Sequence, residues 1–344
     1  MTEKLMNIKF HKKLILLSIT SIIGMMLTGC ASQSTSSFET ILWPKPPQTA
    51  RIELIEILKP SDFEQRSFSK IIKEIVFGKS PVTSMNQAFG VAADSNNVYL
   101  VDSGSGSIVI FNRITNEIRS IGQKANLIFP VDVILIDTLL YVTDSRGGKI
   151  YCLDKAGNLV KELGKDDNLS TPGGLAYHSD LNKLYVTDSQ NHRIVVYDLE
   201  ASKMDTVLGM RGIGDGEFNF PSNITIKNDK LYVVDTFNFR IQILTPTGEF
   251  ISAFGKAGDA PGDLYRPKGI GVSSDGLIFV SDSYYNNFQI FDEEGQLYLF
   301  VGRFGNAPGE FNEPKDMFMD PNDNLFVVDQ KNSRIQVFKY LKYQ

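Results

Sequence analysis

The stretch LYVTDSQNHRIVVYD (184–198) contains two β-rich runs separated by a polar turn. The first run ends at Asp188, and the second begins near Arg193. β-Branched and aromatic residues favour strands, and a short polar segment between two such runs is typical of a hairpin. We therefore predict a β-hairpin at this position.

Five other segments repeat this pattern along the chain. They read VYLVDSGSGSIVIFN (98–112), LYVTDSRGGKIYCLD (140–154), LYVVDTFNFRIQILT (231–245), IFVSDSYYNNFQIFD (278–292) and LFVVDQKNSRIQVFK (325–339). The aspartates that end the first run are Asp102, Asp144, Asp188, Asp235, Asp282 and Asp329. Successive aspartates are 42, 44, 47, 47 and 47 residues apart. A fixed period of about 40–50 residues indicates a repeat architecture.

Each repeat contains two further β-rich runs beside the hairpin. One precedes it, as in RPKGIGV (266–272), and one follows it, as in GEFISAFG (248–255). Four antiparallel strands in a unit of this length are typical of a propeller blade. The sequence therefore predicts an all-β fold, a six-bladed β-propeller of four-stranded antiparallel blades.

The hairpin phrase D-[ST]-x-N-x-R-I-Q is matched best at 188–195, 235–242 and 329–336. Together with its Pro- and Gly-containing linkers, it resembles the NHL-repeat family over about 88–340. The first two blades depart from the phrase, because GSGS and RGGK replace its Asn and Arg. The resemblance implies a six-bladed propeller. It implies no single function, since the family includes sensors, scaffolds, RNA binders and lyases.

The sixth repeat ends after its third strand, near the end of the chain. The isolated β-rich run ARIELIEIL (50–58) is predicted to supply the missing fourth strand, so that an N-terminal strand closes the ring. Apolar residues at helical spacing then predict one short helix at about 61–76. These elements define a propeller domain over 49–344.

The N-terminal segment has the pattern of a processing signal. Four lysines precede an uncharged, mostly apolar run (14–27), which ends in LTGC (27–30). This resembles the lipobox of bacterial lipoproteins and implies a signal peptide at 1–29 with lipidation of Cys30. We expect an exported, membrane-anchored lipoprotein with a flexible tether at 30–48. Ala31 after the cysteine favours the outer membrane; an uncleaved anchor or an ordinary secretory signal is the alternative.

Charge and cysteine content exclude several classes of function. The first 29 residues carry four lysines and one glutamate, so the remainder has a formal charge of −8, against −5 for the whole chain. An acidic chain without clustered Lys and Arg is a poor nucleic-acid binder, and no nucleic-acid partner is predicted. Cys152 lies in a strand pattern and is predicted to be a buried apolar residue rather than a reactive thiol.

The repeated aspartates are predicted to stabilise the turns, because each ends a strand where a carboxylate can accept backbone N–H bonds. Candidate binding residues lie where blades differ from one another. The turns of blades four and five carry aromatics in place of small or polar residues, and linker residues flank the Pro at the mouth of the axis. The aromatics are Phe237, Phe239, Tyr284 and Tyr285, and the linker residues are Phe220, Arg266, Lys268, Glu313 and Lys315.

Two interpretations of the aromatics stay open, a binding patch and packing back onto the blades. The sequence favours a non-catalytic module that binds or scaffolds a protein, peptide or glycan at the cell envelope. No catalytic residues and no cofactor are predicted. The alternative is a metal-dependent hydrolase or lyase with its site on the propeller axis, and a structural or axial divalent metal stays open as well.

Overall fold

The computed structural model of the protein describes residues 40–63 and 85–342. Several predicted features therefore lie outside the described residues: the signal peptide (1–29), Cys30, the tether up to residue 39, and residues 64–76 of the helix. Within the described part, no helix has the length and hydropathy of a membrane span.

The first three blades are regular four-stranded antiparallel sheets. Blade 1 consists of β3 (Ala88–Ala93), β4 (Asn97–Asp102), β5 (Ser107–Asn112) and β6 (Glu117–Ile121). Blade 2 consists of β7 (Pro130–Ile136), β8 (Leu139–Asp144), β9 (Lys149–Asp154) and β10 (Leu159–Leu163). Blade 3 consists of β11 (Pro172–His178), β12 (Lys183–Asp188), β13 (Arg193–Asp198) and β14 (Lys203–Leu208).

Blades 4 and 5 repeat this arrangement, and blade 6 draws on both ends of the domain. Blade 4 consists of β15 (Pro221–Lys227), β16 (Lys230–Asp235), β17 (Arg240–Leu244) and β18 (Phe250–Phe254). Blade 5 consists of β19 (Pro267–Val272), β20 (Ile278–Asp282), β21 (Asn287–Phe291) and β22 (Leu297–Val301). Blade 6 consists of β23 (Pro314–Met319), β24 (Asn324–Asp329), β25 (Arg334–Tyr340), β2 (Ile52–Leu58) and β1 (Ile41–Trp43).

The blades form a closed ring around one axis. The first strands of neighbouring blades contact each other in the order β3, β7, β11, β15, β19, β23 and back to β3. The core lies between adjacent blades. Tyr232 and Ile241 of blade 4, for example, pack with Ile270 and Val280 of blade 5. The predicted fold is confirmed, with six antiparallel blades that each bury apolar side chains against the next.

The ring is closed by the N-terminal strand. β2 pairs antiparallel with β25, with Ile52 opposite Tyr340 and Leu58 opposite Ile335. The predicted closing strand (50–58) is therefore confirmed. An ion pair of 2.6 Å between Glu56 and Arg113 adds a side-chain link from this strand to blade 1.

The sixth blade is one strand larger than predicted. β1 (Ile41–Trp43) pairs with β2 at the outer edge of the sheet, with Trp43 opposite Ile52. The predicted tether extended to residue 48, so its boundary was wrong for these residues. Only three residues form β1, and an edge strand this short has no recognisable strand pattern in the sequence. Its pairing with β2 is what makes it a strand.

Short 3-10 segments follow the hairpin aspartates or lie in linkers. They are Pro60–Phe63, Gln123–Ala125, Ser189–Asn191, Thr236–Asn238 and Gln330–Asn332. The first of these occupies the start of the predicted helix. At the turns of blades 3, 4 and 6, the residue after the 3-10 segment adopts a positive φ before the next strand begins.

Candidate functional site

The six repeated aspartates are structural groups. All are buried, and each accepts backbone N–H bonds from the linker that precedes its blade. In blade 2, for example, Asp144 accepts hydrogen bonds from Phe129 N at 3.0 Å and from Gly147 N in the turn at 2.8 Å. Each carboxylate therefore joins a turn to a linker.

Arginines five residues after the aspartate complete this arrangement in three blades. Arg193 pairs with Asp188 at 3.0 Å, Arg240 with Asp235 at 2.9 Å and Arg334 with Asp329 at 2.6 Å. Each arginine thus pairs within its own blade. In blade 2 the corresponding Lys149 pairs with Glu162 instead, at 2.9 Å.

The hairpin turns and the linkers share one face of the ring. The Pro at the start of a blade's first strand lies opposite the Asp at the end of its second strand, as in Pro221 with Asp235 and Pro267 with Asp282. Since the linker ends at that Pro and the turn begins at that Asp, both open on the same side. We call this side the linker face, and it carries the predicted binding residues.

Two groups of aromatic side chains lie on the linker face, and together we call them the aromatic surface. In the first group, Phe220 packs against His192 at a ring-centroid distance of 4.6 Å and against Phe237 at 4.9 Å. In the second group, Tyr265 packs against Phe239 at 6.0 Å and Tyr284 at 4.4 Å. Tyr285 adjoins the second group through Tyr284, at 5.2 Å.

The four predicted turn aromatics do not form one group. Phe237 joins Phe220 and Phe239 joins Tyr265, so the two residues of the same turn serve different groups. Phe239 has φ 58°, the left-handed conformation that ends the turn. The sequence analysis missed His192 and Tyr265. Both are aromatic residues at a turn or linker position close to the predicted residues, and that position could have identified them.

The aromatic surface combines exposed and anchored rings. Phe237, Tyr265 and Tyr284 are 52%, 44% and 55% exposed, which is high for large apolar side chains. Tyr285 is less exposed, and its hydroxyl donates a hydrogen bond to the carbonyl of Gly258. The exposed rings are the part of this surface that is free to meet a ligand.

Basic side chains lie nearer the axis on the same face. Lys315 pairs with Glu313 at 3.2 Å and lies 5.9 Å from the ring centre of Phe89. Burial, together with the neighbouring charges of Lys315 and Arg266, lowers the pKa of Lys268 to about 8. Arg266 is exposed and contributes its backbone N–H to Asp282. Of the predicted linker residues, Arg266, Lys268, Glu313 and Lys315 thus form a basic mouth, whereas Phe220 belongs to the aromatic surface.

Polar side chains from alternate blades meet on the axis, and we call them the axial polar group: Asp132, Asn223 and Asp316. Asn223 Nδ2 donates to Asp316 Oδ1 at 2.5 Å, and the carboxyl groups of Asp132 and Asp316 lie within hydrogen-bonding reach of each other. Burial, and then the charge of Asp316, raise the pKa of Asp132 well above its usual range. Burial also raises the pKa of Asp316 to about 6.

Backbone groups already engage the axial carboxylates. Leu175 N donates to Asp132 Oδ2 at 2.7 Å, and Val91 N donates to Asp316 Oδ2 at 3.0 Å. Within residues 40–63 and 85–342, no three His, Cys, Asp or Glu side chains are grouped as a metal site requires. Cys152 is fully buried between blades 2 and 3, as predicted, and burial raises the pKa of its thiol.

Comparison with known proteins agrees with the fold. Residues 269–344 match a family described as 6-bladed beta-propeller, and residues 169–197 match the NHL repeat. The NHL repeat-containing protein 2 of Bos taurus is 34% identical over 96 residues, which cover 25% of this chain. The match spans 13% of that relative's length.

Solved structures with the same fold have different descriptions. An auxiliary nutrient binding protein from Bacteroides thetaiotaomicron superposes with a TM-score of 0.60 and 16% identity, over 75% of this chain and 70% of that one. Virginiamycin B lyase from Staphylococcus aureus superposes with a TM-score of 0.54 and 15% identity, over 76% of this chain and 97% of that one. At such identities the likeness concerns the fold alone. With its repeated hairpins, buried aspartates and closed ring, the chain is a six-bladed β-propeller in which residues 169–197 match the NHL repeat.

Proposed function

We propose that this protein is an envelope-anchored lipoprotein whose propeller binds a protein, peptide or glycan through the aromatic surface without catalysing a reaction. The observation that carries the proposal is the exposure of Phe237, Tyr265 and Tyr284 on one face of an otherwise well-packed ring. Large exposed aromatic groups mark interaction sites, and Tyr and Phe are enriched at interfaces. The description of a neighbour with this fold as a nutrient binding protein is in line with a binding role.

The anchor is part of the same proposal. The LTGC motif lies behind a basic segment and an apolar run, and the described propeller begins at residue 40, ten residues after Cys30. A lipid at Cys30 would hold the ring close to a bacterial membrane, and Ala31 favours the outer membrane. At that position the linker face could meet partners in the envelope.

A double substitution, Phe237→Ser with Tyr284→Ser, tests the binding role. Both side chains are more than half exposed, so the melting temperature should change little, because surface substitutions usually cost about 0.5 kcal/mol or less. Capture of partners from an envelope extract should fall strongly, since hot-spot truncations cost about 2 kcal/mol or more. The bound material is identified by mass spectrometry and tested again after purification.

The matched control is Tyr298→Ser. Tyr298 is 54% exposed, close to the 55% of Tyr284, but it lies in β22, the outer strand of blade 5. The control should leave capture unchanged. Equal capture by the double variant and the wild type would refute the proposal, and a collapse of the melting temperature in the double variant would show that these rings belong to the core.

The alternative function, a metal-dependent hydrolase or lyase, is favoured by the axial polar group alone. Two carboxyl groups in contact repel each other when both are ionised, and a bound cation would relieve that repulsion. Elemental analysis of protein purified without chelators decides between the two functions. A stoichiometric metal that is lost on Asp132→Asn would favour the enzyme over the binding module.

A further inference from the structure

Blade 5 lacks the arginine that fills a defined place in blades 3, 4 and 6. In blade 4, Arg240 donates from Nη2 to the carbonyls of Gly214 and Glu217 in the preceding linker, at 2.7 and 3.0 Å. In blade 6, Arg334 donates in the same way to Asn306, Ala307 and Glu310, at 2.7 to 2.9 Å. In both blades the guanidinium group lies between the repeat aspartate and carbonyl groups of the preceding linker.

Asn287 stands at this place in blade 5. It lies opposite Asp282 in the hairpin, as Arg240 lies opposite Asp235 in blade 4. A second substitution accompanies it: Asn238 of blade 4 donates to Gly212 O at 2.9 Å, whereas in blade 5 the hydroxyl of Tyr285 donates to Gly258 O. The hairpin of blade 5 thus has the same register as that of blade 4, but it has no guanidinium group.

The surrounding frame of blade 5 is retained. Gly262 N donates to Gln289 Oε1 at 2.9 Å, and Gln289 Nε2 donates to Asp263 O at 2.9 Å. The matching bonds in blade 4 join Gly216 N to Gln242 Oε1 at 3.0 Å, and Gln242 Nε2 to Glu217 O at 2.7 Å. In blade 6, Gln336 makes the same two bonds, to Gly309 N and Glu310 O, both at 2.8 Å. Asp259, Ala260 and Asp263 therefore correspond to the three residues whose carbonyls bind Arg334.

The place of the missing side chain is a cavity of about 170 Å³ that opens to solvent, which we call the blade-5 pocket. Its lining residues are Asp259, Ala260, Pro261, Asp263, Tyr285, Asn287, Gln289 and Phe300. A cavity of about 150 Å³ holds a benzene ring, so a planar guanidinium group fits within this one. Asn287 Oδ1 is buried there and has no hydrogen-bond partner among the described residues.

The charges around the blade-5 pocket favour a cation. Asp259 and Asp263 line the pocket, and Asp259 is exposed. The carboxylate of Asp263 accepts a hydrogen bond from Ala260 N at 3.1 Å, and its ion-pair partner is the 79% exposed Lys256 at 3.7 Å. Asp282 behind the pocket is fully buried and accepts four hydrogen bonds, all from backbone N–H groups. Blades 3, 4 and 6 place a guanidinium beside the same carboxylate.

We propose that the blade-5 pocket binds a guanidinium group, supplied by an arginine side chain of a peptide or protein partner. A guanidinium has a planar fork of donors that suits several carbonyl and carboxylate acceptors, and it stacks on aromatic faces such as that of Phe300. An ammonium group lacks this geometry. The assignment to a peptide rests on the proposed function, because Tyr285 lines the pocket and packs against Tyr284 of the aromatic surface.

Binding of N-acetyl-arginine amide, compared with N-acetyl-lysine amide, tests the pocket by ligand-detected NMR on the intact protein. The arginine compound should bind at least fivefold more tightly. Asn287→Arg fills the pocket from within the chain, as arginine does in blades 4 and 6, and should weaken binding at least tenfold while keeping the melting temperature equal or higher. Asn322→Arg is the matched control: it adds the same charge at an exposed turn outside the pocket and should bind as the wild type does.

Undiminished binding by Asn287→Arg would overturn the proposal, as would equal affinity for the arginine and lysine compounds. If Asn287→Arg fails to fold, Asp259→Asn removes one exposed carboxylate and should weaken binding at least threefold; no change would overturn the proposal as well. The source of the guanidinium is tested with a blocked peptide in which arginine is flanked by aromatic residues. It should bind more tightly than N-acetyl-arginine amide, and Tyr284→Ser should remove that gain.

These experiments distinguish binding in the blade-5 pocket from binding at the aromatic surface. Loss of arginine binding in Asn287→Arg with no peptide gain would refute the peptide partner and leave a pocket for small guanidinium compounds, while the proposed function would still be decided by the capture experiment with the double variant. A peptide gain without a response to Asn287→Arg would refute the pocket and leave the aromatic surface in place.

Discussion

Leu58→Ala should destabilise the whole ring, because Leu58 belongs to the strand that closes it. Leu58 is 2% exposed and packs in one cluster with Val91 and Val98 of blade 1 and Phe326 and Ile335 of blade 6. Replacing a fully buried leucine by alanine costs about 3 kcal/mol or more, from lost apolar burial and the cavity left behind. For a domain of this size the melting temperature should fall by roughly 6 to 12 °C.

The same strand supplies the control. Ile55 lies in β2 between the buried positions and is 39% exposed, so Ile55→Ala should cost about 1 kcal/mol or less. Fluorescence reports on the closing sheet directly, since Trp43 is the sole tryptophan of the chain and lies in β1, with its ring 5.8 Å from that of Phe338. Urea unfolding is followed by this fluorescence and by circular dichroism in parallel.

Two results would refute the reasoning about closure. Equal midpoints for Leu58→Ala and Ile55→Ala would show that the strand contributes no core packing in solution. A fluorescence transition at lower urea than the circular dichroism transition would show that β1 and β2 detach before the ring unfolds. In that case the closing sheet is not part of the cooperative unit.

Two further predictions concern the anchor and the axis. Cys30→Ser should abolish lipidation, and mass spectrometry of the wild-type N-terminus should show an acylated Cys30; an unmodified Cys30 would contradict the anchor. Burial raises the pKa of Asp316 to about 6 and the pKa of Asp132 well above its usual range, so the folded state binds protons more tightly than the unfolded chain. Stability from this pair is therefore present near pH 4 and is lost as the pH rises through 6. Asp132→Asn should therefore gain free energy of unfolding relative to wild type as the pH rises from 4 to 6, by at most about 1.4 kcal/mol per pH unit for the proton that it removes; a constant difference in urea titrations would contradict the raised pKa values.

The repeat made most of the fold predictable from the sequence. The spacing of the six aspartates gave the blades, and the missing strand of blade 6 pointed to the run at 50–58. β1 could not be predicted, because three residues among prolines have no strand signal until β2 pairs with them. In general, the spacing of a repeat predicts the strands that recur in every blade, but it does not predict an additional edge strand that occurs only once.

The candidate site was predictable in position and not in detail. Phe237 and Tyr284 lie on the linker face, since strand alternation fixes which turns share a side. Their partners were not predictable, because the contacts of Phe237 with Phe220 and of Tyr284 with Tyr265 join a turn to a linker whose conformation the repeat does not specify. The blade-5 pocket had a visible signal in Asn287, but the equivalence of the linkers around it became clear only from their hydrogen bonds.

Small and polar residues alternate around the axis. Gly90, Gly174 and Gly269 of blades 1, 3 and 5 occupy the position that Asp132, Asn223 and Asp316 occupy in blades 2, 4 and 6. A Cβ added to Gly90 or Gly174 would lie 2.6 Å from the Cα of the polar residue in the next blade.

This alternation gives the centre of the ring a threefold pattern within six blades. Inserting, deleting or exchanging one blade would bring two polar residues, or two glycines, side by side. Two adjacent polar residues would force the backbones of their strands apart, and two adjacent glycines would leave a gap on the axis. The smallest piece of this propeller that can be duplicated or grafted without redesigning its centre is therefore a pair of adjacent blades.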